Sequence, residues 1–102
     1  MYPMPTQHGL QQAQGSRFQL WIAPDQALDV ELIEVLVGNP MSAEYESFSA
    51  AFALPEQWDL PQALYRLSPP GEEGWLLLLT PVQPAADRRA VLQAVFHTRK
   101  AA

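Results

Sequence analysis

Along residues 48–54 the chain alternates: Phe48, Ala50, Phe52 and Leu54 fall on one side, and Ser49, Ala51 and Ala53 on the other. Successive side chains of a strand point to opposite faces, so this spacing predicts a half-buried β-strand. Residues 17–22 repeat the pattern, with Phe18 and Leu20 set against Gln19 and Trp21, and Pro24-Asp25 ends the run. Residues 30–37 carry two signals at once. Leu28, Leu32, Val35 and Leu36 fit one face of a helix, whereas Val30, Ile33, Val35 and Val37 are stiff at χ1 and suit a pleated surface. The β-branched content assigns this stretch to a strand, and Gly38-Asn39-Pro40 breaks it before a polar connection over 41–46.

Two further apolar runs, 63–68 and 75–82, flank Pro69-Pro70-Gly71-Glu72-Glu73-Gly74. The two glycines can take positive φ without the penalty that other residues incur, so the unit predicts a hairpin. Pro55 and Pro61 pin the loop between them, because each fixes φ and lacks a donor. The last segment supports two readings. Residues 85–102 form a helix by propensity, with Asp87 near the start and Arg99-Lys100 near the end. Against that, Leu92, Ala94 and Phe96 alternate with Gln93, Val95 and His97, a strand that would cover an open sheet edge.

These elements predict an all-β domain, a small antiparallel barrel or sandwich of about six strands over residues 17–98. Residues 1–16, rich in Gln, Pro and Gly, read as a flexible arm, and 99–102 as a basic tail. At 102 residues the chain suits one domain with one modest core. It holds no cysteine, which excludes disulfides, thiolate metal sites and cysteine nucleophiles. No apolar run approaches the roughly 20 residues of a spanning helix, so the chain is read as soluble, with no membrane partner. No secretory pattern is visible, and the expected location is the cytoplasm or a tail-like particle.

The net charge of -5 argues against nucleic-acid binding, because it repels a phosphate backbone. All eleven acids lie between residues 18 and 87 with Arg66 as the only base among them, while Arg88, Arg89, Arg99 and Lys100 follow. An acidic body and a basic end are either a solvated surface or the two halves of a docking contact.

The pattern Phe48-x3-Phe52, Leu60-Pro61-x3-Tyr65-x-Leu67, Pro70-Gly71-x2-Gly74, Leu77-x-Leu79-x-Pro81-Val82 and Ala94-Val95-Phe96-His97 resembles a family of small uncharacterised bacterial domains. The chain departs from that pattern at Ala63 or Leu64, where glycine is usual, at Leu92, where tyrosine is usual, and at His97, where asparagine is usual. The resemblance implies an all-β fold with the last segment as a strand. It also implies an association with phage-tail-collar-like proteins, and it supplies no catalytic residues.

Candidate chemistry is sparse. His8 sits in the arm and His97 stands alone near the basic end, so neither belongs to a transition-metal ligand set. Ser42, Ser47, Ser49 and Ser68 lack a nucleophile elbow, and no Gly-rich phosphate loop occurs. Glu72-Glu73 and Glu44 with Glu46 lack the ligand spacing that calcium needs and read as solvated loop charge. No cofactor is implied. Trp58 is the odd residue, an aromatic in a polar proline loop: either it folds back as a lid over one end of the domain, or it anchors a partner. The expectation is a non-enzymatic interaction or accessory module, part of a tail-like assembly by the resemblance, with a small-ligand-binding barrel as the alternative. Its contacts with a protein partner, or with a second copy, would run through Trp58, Arg88, Arg89, Arg99 and Lys100.

Overall fold

The computed structural model describes residues 7–38, 45–69 and 74–99. Six strands, β1 (Arg17–Ala23), β2 (Gln26–Val37), β3 (Tyr45–Ala53), β4 (Ala63–Ser68), β5 (Trp75–Val82) and β6 (Val91–Arg99), follow a short helix α1 (Gln7–Gln12). They close into an antiparallel barrel in the order β1-β2-β3-β6-β5-β4. Two three-stranded meanders, β1-β2-β3 and β4-β5-β6, are therefore joined by the crossover 54–62. They meet along β3–β6 and β1–β4.

The alternation read from the sequence becomes the inside of the barrel. Leu20, Val30, Leu32, Phe52, Leu67 and Leu79 are fully buried in one cluster to which every strand contributes. Phe48 and Phe96 are register partners on β3 and β6, and their rings stack at 4.7 Å. Phe18 meets Phe52 edge-on at 5.7 Å, the other arrangement that the ring quadrupole favours.

The double signal in β2 has a structural cause. The β2–β3 register shifts between Leu32 and Glu34, so Ile33 is an extra residue, a β-bulge. Leu28, Val30 and Leu32 point inward, the bulge resets the phase, and Val35 is the next residue to pack on the core. A strand with one added residue thus mimics the three-residue spacing of a helix.

Two sequence expectations meet a different outcome or are decided. For the flexible arm, the structure gives residues 7–12 as helix, with Leu10 only 3% exposed in the core cluster. The Gly15 N–H donates to the Leu32 carbonyl (2.7 Å), the Leu32 N–H donates to the Ser16 carbonyl (3.0 Å), and the Gln14 side chain donates to the Ile33 carbonyl (3.2 Å). The segment after α1 thereby satisfies backbone groups at the bulge, which the sequence pattern could not anticipate. Residues 1–6 lie outside the described residues. The last segment is strand: β6 pairs with β3 through nine residue pairs and with β5 through three, and this pairing outweighs local helix propensity.

Gly74 opens β5 with φ +79°, and a Cβ there would collide with the Leu67 carbonyl and with Ser68. The hairpin thus requires glycine for conformation and for space at once. Gly71, Glu72 and Glu73 fall outside the described residues, as does Glu44.

The outside of the barrel is uneven. Up to its bulge β2 alternates and turns Asp29 and Glu31 outward; beyond it Glu34 is exposed, as are Leu36 and Val37 at the strand's end. β5 does not alternate in polarity: Leu77 and Leu79 point in, while Leu76, Leu78 and Val82 are exposed on the outside. Leu64 on β4 is the register partner of Leu78, and Arg66 that of Leu76. Arg66 in turn lies over the Trp21 ring at 4.4 Å, and the Trp21 indole donates to the buried Ser68 hydroxyl at 3.0 Å.

Candidate functional site

At the end of the barrel where β3 and β5 finish and β6 begins, two loops face one another. The crossover leaves β3 through Leu54, whose N–H donates to the Ala90 carbonyl at 2.8 Å and ties the loop to the start of β6. The Trp58 N–H then donates to the Pro55 carbonyl (3.2 Å), closing a turn with Gln57 at φ +69°. That is the third position of a type II turn, where glycine or asparagine is the usual occupant. Farther along, Leu60 packs on the core, and the Tyr65 hydroxyl donates to the Pro61 carbonyl at 2.6 Å. The turn tip carrying Trp58 is left projecting, 38% exposed.

The facing loop between β5 and β6 has the same peculiarity. The Arg88 N–H donates to the Ala85 carbonyl (2.8 Å) and the Ala85 N–H donates to the Arg89 carbonyl (3.0 Å), with Arg88 at φ +72°. This is a three-residue hairpin connection ending in a left-handed residue, a place that favours glycine. Arg89 is the clamp of the loop. Its guanidinium donates to Asp87 (2.7 Å) and to Glu31 on β2 (2.9 Å), and its N–H donates to the other Asp87 oxygen at 3.2 Å. The Arg89 backbone donor foremost, then its side chain, holds the Asp87 carboxyl below the ordinary carboxylate range.

Gln57, Trp58 and Asp59 from one loop, and Val82, Pro84 and Arg88 from the other side, line a cleft of about 360 Å³. Arg88 forms no ion pair with any described residue. The cleft therefore offers an indole face, a planar fork of donors and an apolar floor. A guanidinium binds a carboxylate through two parallel hydrogen bonds, and an indole supplies broad apolar contact with few torsions to freeze. The titratable groups of the lining are Asp59 and Arg88, with no serine, cysteine or histidine among them. Among the described residues no three His, Cys, Asp or Glu side chains are grouped to hold a metal ion. Among those residues, too, no helix is long and apolar enough to cross a membrane.

Of the residues singled out from the sequence, the structure brings Trp58 and Arg88 together and separates the others. Arg89 is engaged in the clamp. Arg99 ends β6 at the far end, opposite Tyr45, about 30 Å of strand away from Arg88. Lys100 lies outside the described residues. His8 falls in α1, and His97 is the register partner of Ser47 on β6. Sequence reasoning missed Gln57 and Asp59, which carry no motif, and it missed the left-handed backbone at Gln57 and Arg88, which no side chain advertises.

Residues 5–96 match a family model described as "Domain of unknown function (DUF6916)", and the chain belongs to that family. The match begins ahead of α1, so the family's domain takes in the helix as well as the barrel. Among curated proteins and among solved structures, none matches the chain.

Proposed function

We propose that this small β-barrel is a non-enzymatic interaction module that seats a carboxylate-bearing loop of a protein partner in the cleft between Trp58 and Arg88. The observation that carries the reading is the shared strain of the two loops. Gln57 and Arg88 each keep a side chain where glycine would relieve the backbone, and both face the same cleft. Left-handed non-glycine residues persist where the side chain serves a purpose that outweighs their cost, and they cluster at binding sites. The barrel interior supports the exterior as the working surface, because Leu20, Val30, Phe52 and Leu79 fill it. Arg88 is held in place by the Arg89 clamp behind it, so it meets a ligand with part of its ordering already done.

As a finer reading we place the module in a larger assembly of the phage-tail type, to which the sequence resemblance points, with a cytoplasmic site of assembly. The test is a titration of the purified chain with the products of the genes flanking its own, followed by calorimetry. One of them binds the wild type, Trp58→Ala weakens that binding by roughly 30-fold or more, as for an interface anchor, and rising salt weakens it further. Binding that neither Trp58→Ala nor Arg88→Gly alters would overturn the proposal.

A further inference from the structure

A strand with one face in water alternates, and a strand covered on both faces reads as a continuous apolar run. β5 runs Trp75-Leu76-Leu77-Leu78-Leu79, and its outer leucines have no cover among the described residues: Leu76 is 62% and Leu78 51% exposed. The neighbours extend the same surface. Leu64, 63% exposed, pairs with Leu78 across the β4–β5 ladder. Across the β5–β6 seam, Val82 pairs with Val91 and Thr80 with Gln93, and continuing that register by two residues brings Val95, 62% exposed, level with Leu78.

We infer that two copies of the chain pack together through the outer face of β4, β5 and β6, as a two-fold symmetric dimer centred on Leu76 and Leu78. Charge and area select a second copy as the occupant. Among the outward positions whose side chains are described, this wall carries one charged residue, Arg66, laid over the Trp21 ring, and no carboxylate, and the strand β6 ends on a second cationic residue, Arg99. The carboxylates whose side chains are described lie elsewhere, on the outer face of β2 and in the loops, in a chain of net charge -5. Two such chains repel one another in most orientations and meet without apposing any described carboxylate in this one. The exposed aliphatic side chains amount to roughly 500 Å², in the upper part of the ~300–600 Å² range of a monomer's largest patch, which is often functional. To reach the ~800 Å² per partner of a stable interface, the contact takes in the rim as well, namely the Arg66 stem, Trp21 and Thr80. A two-fold contact matches each patch to itself, so one apolar surface suffices for both sides.

The experiment is sedimentation of the full chain at low and high salt, for the wild type and for Leu76→Glu combined with Leu78→Glu, with circular dichroism to establish that the variant folds. A dimer that persists in high salt, and whose association weakens by tenfold or more in the variant, is the expected result. A wild-type monomer at every concentration, a dimer unchanged by the variant, or an open series of larger oligomers overturns the inference. So does wild-type binding to neutral phosphatidylcholine vesicles that the variant loses, which would make the wall a lipid surface. Should the double variant fail to fold, the cysteine-free chain allows Leu78→Cys and Asp29→Cys, each treated with a short bis-maleimide. Cross-linking at Leu78 and not at Asp29 is expected, and equal or absent cross-linking at both overturns the dimer. Trp58→Ala and Arg88→Gly leave the dimer intact, so its failure and the failure of the cleft are read by different variants.

Discussion

β2 and β5 do the same work on the inside of the barrel and opposite work on the outside. β2 sends Leu28, Val30 and Leu32 inward and β5 sends Leu77 and Leu79, all of them buried. Outside, β2 presents Asp29, Glu31 and Glu34, whereas β5 presents Leu76, Leu78 and Val82. The inward pattern answers to packing and is shared by every strand of a closed barrel. The outward pattern is free of that demand, so it records what each wall faces: water and the Arg89 clamp for β2 and, in the dimer we infer, a second apolar wall for β5.

The largest effect should show that the two strands are equals inside. Leu32→Ala on β2 and Leu79→Ala on β5 should each cost about 2–5 kcal/mol in denaturant unfolding, as fully buried leucines do. A cost at one strand several times that at the other would break the equivalence. Next, Gly74→Ala at the head of β5 should cost roughly 2 kcal/mol or more, since it combines left-handed strain with a collision against the Leu67 carbonyl. Thermal melts check it.

A gain of stability comes third. Arg88→Gly relieves a left-handed residue and should raise stability by about 0.5–1 kcal/mol while removing the partner's contact. A variant less stable than the wild type would show that Arg88 serves the fold and not the cleft. The smallest effect belongs to the clamp that joins the β5–β6 loop to the wall of β2. The Asp87 carboxyl is held below its ordinary range in the folded chain, so its stabilising share is full above the unfolded carboxylate value. That share is lost as pH falls through the lower, folded one. Asp87→Asn should therefore lower the melting temperature slightly at neutral pH, and the difference from wild type should vanish at strongly acidic pH.

The strands were legible where a single phase of alternation holds, as at Phe48, Ala50, Phe52 and Leu54. Legibility failed wherever one residue changes the phase or a remote partner decides. The Ile33 bulge blended the strand and helix signals of β2. The end of the chain, helical by propensity, became β6 because β3, half the sequence away, offers it a full edge. The helix at the start was invisible because its buried core residue, Leu10, sits among glutamines, and because the segment after it, Gln14 to Ser16, answers to a bulge that the pattern does not show. Of the site, Trp58 stood out by its context and Arg88 by its charge. Their meeting depends on the crossover, and the grouping of Arg88 with Arg99 dissolved because a strand carries those two to opposite ends.

The crossover 54–62 also sets the order in which such a chain can become a barrel. Each meander closes through neighbours in sequence, while the β3–β6 and β1–β4 seams join residues from different halves, so loop-closure entropy falls on the seams and makes barrel closure the slow step. Nicked within that linker, the protein would behave as two complementary fragments whose association rebuilds the barrel. With the nick beyond Asp59, Trp58 stays on the first fragment and Arg88 on the second, so the cleft between them would form only when the halves unite, which makes the cleft a reporter of completed assembly.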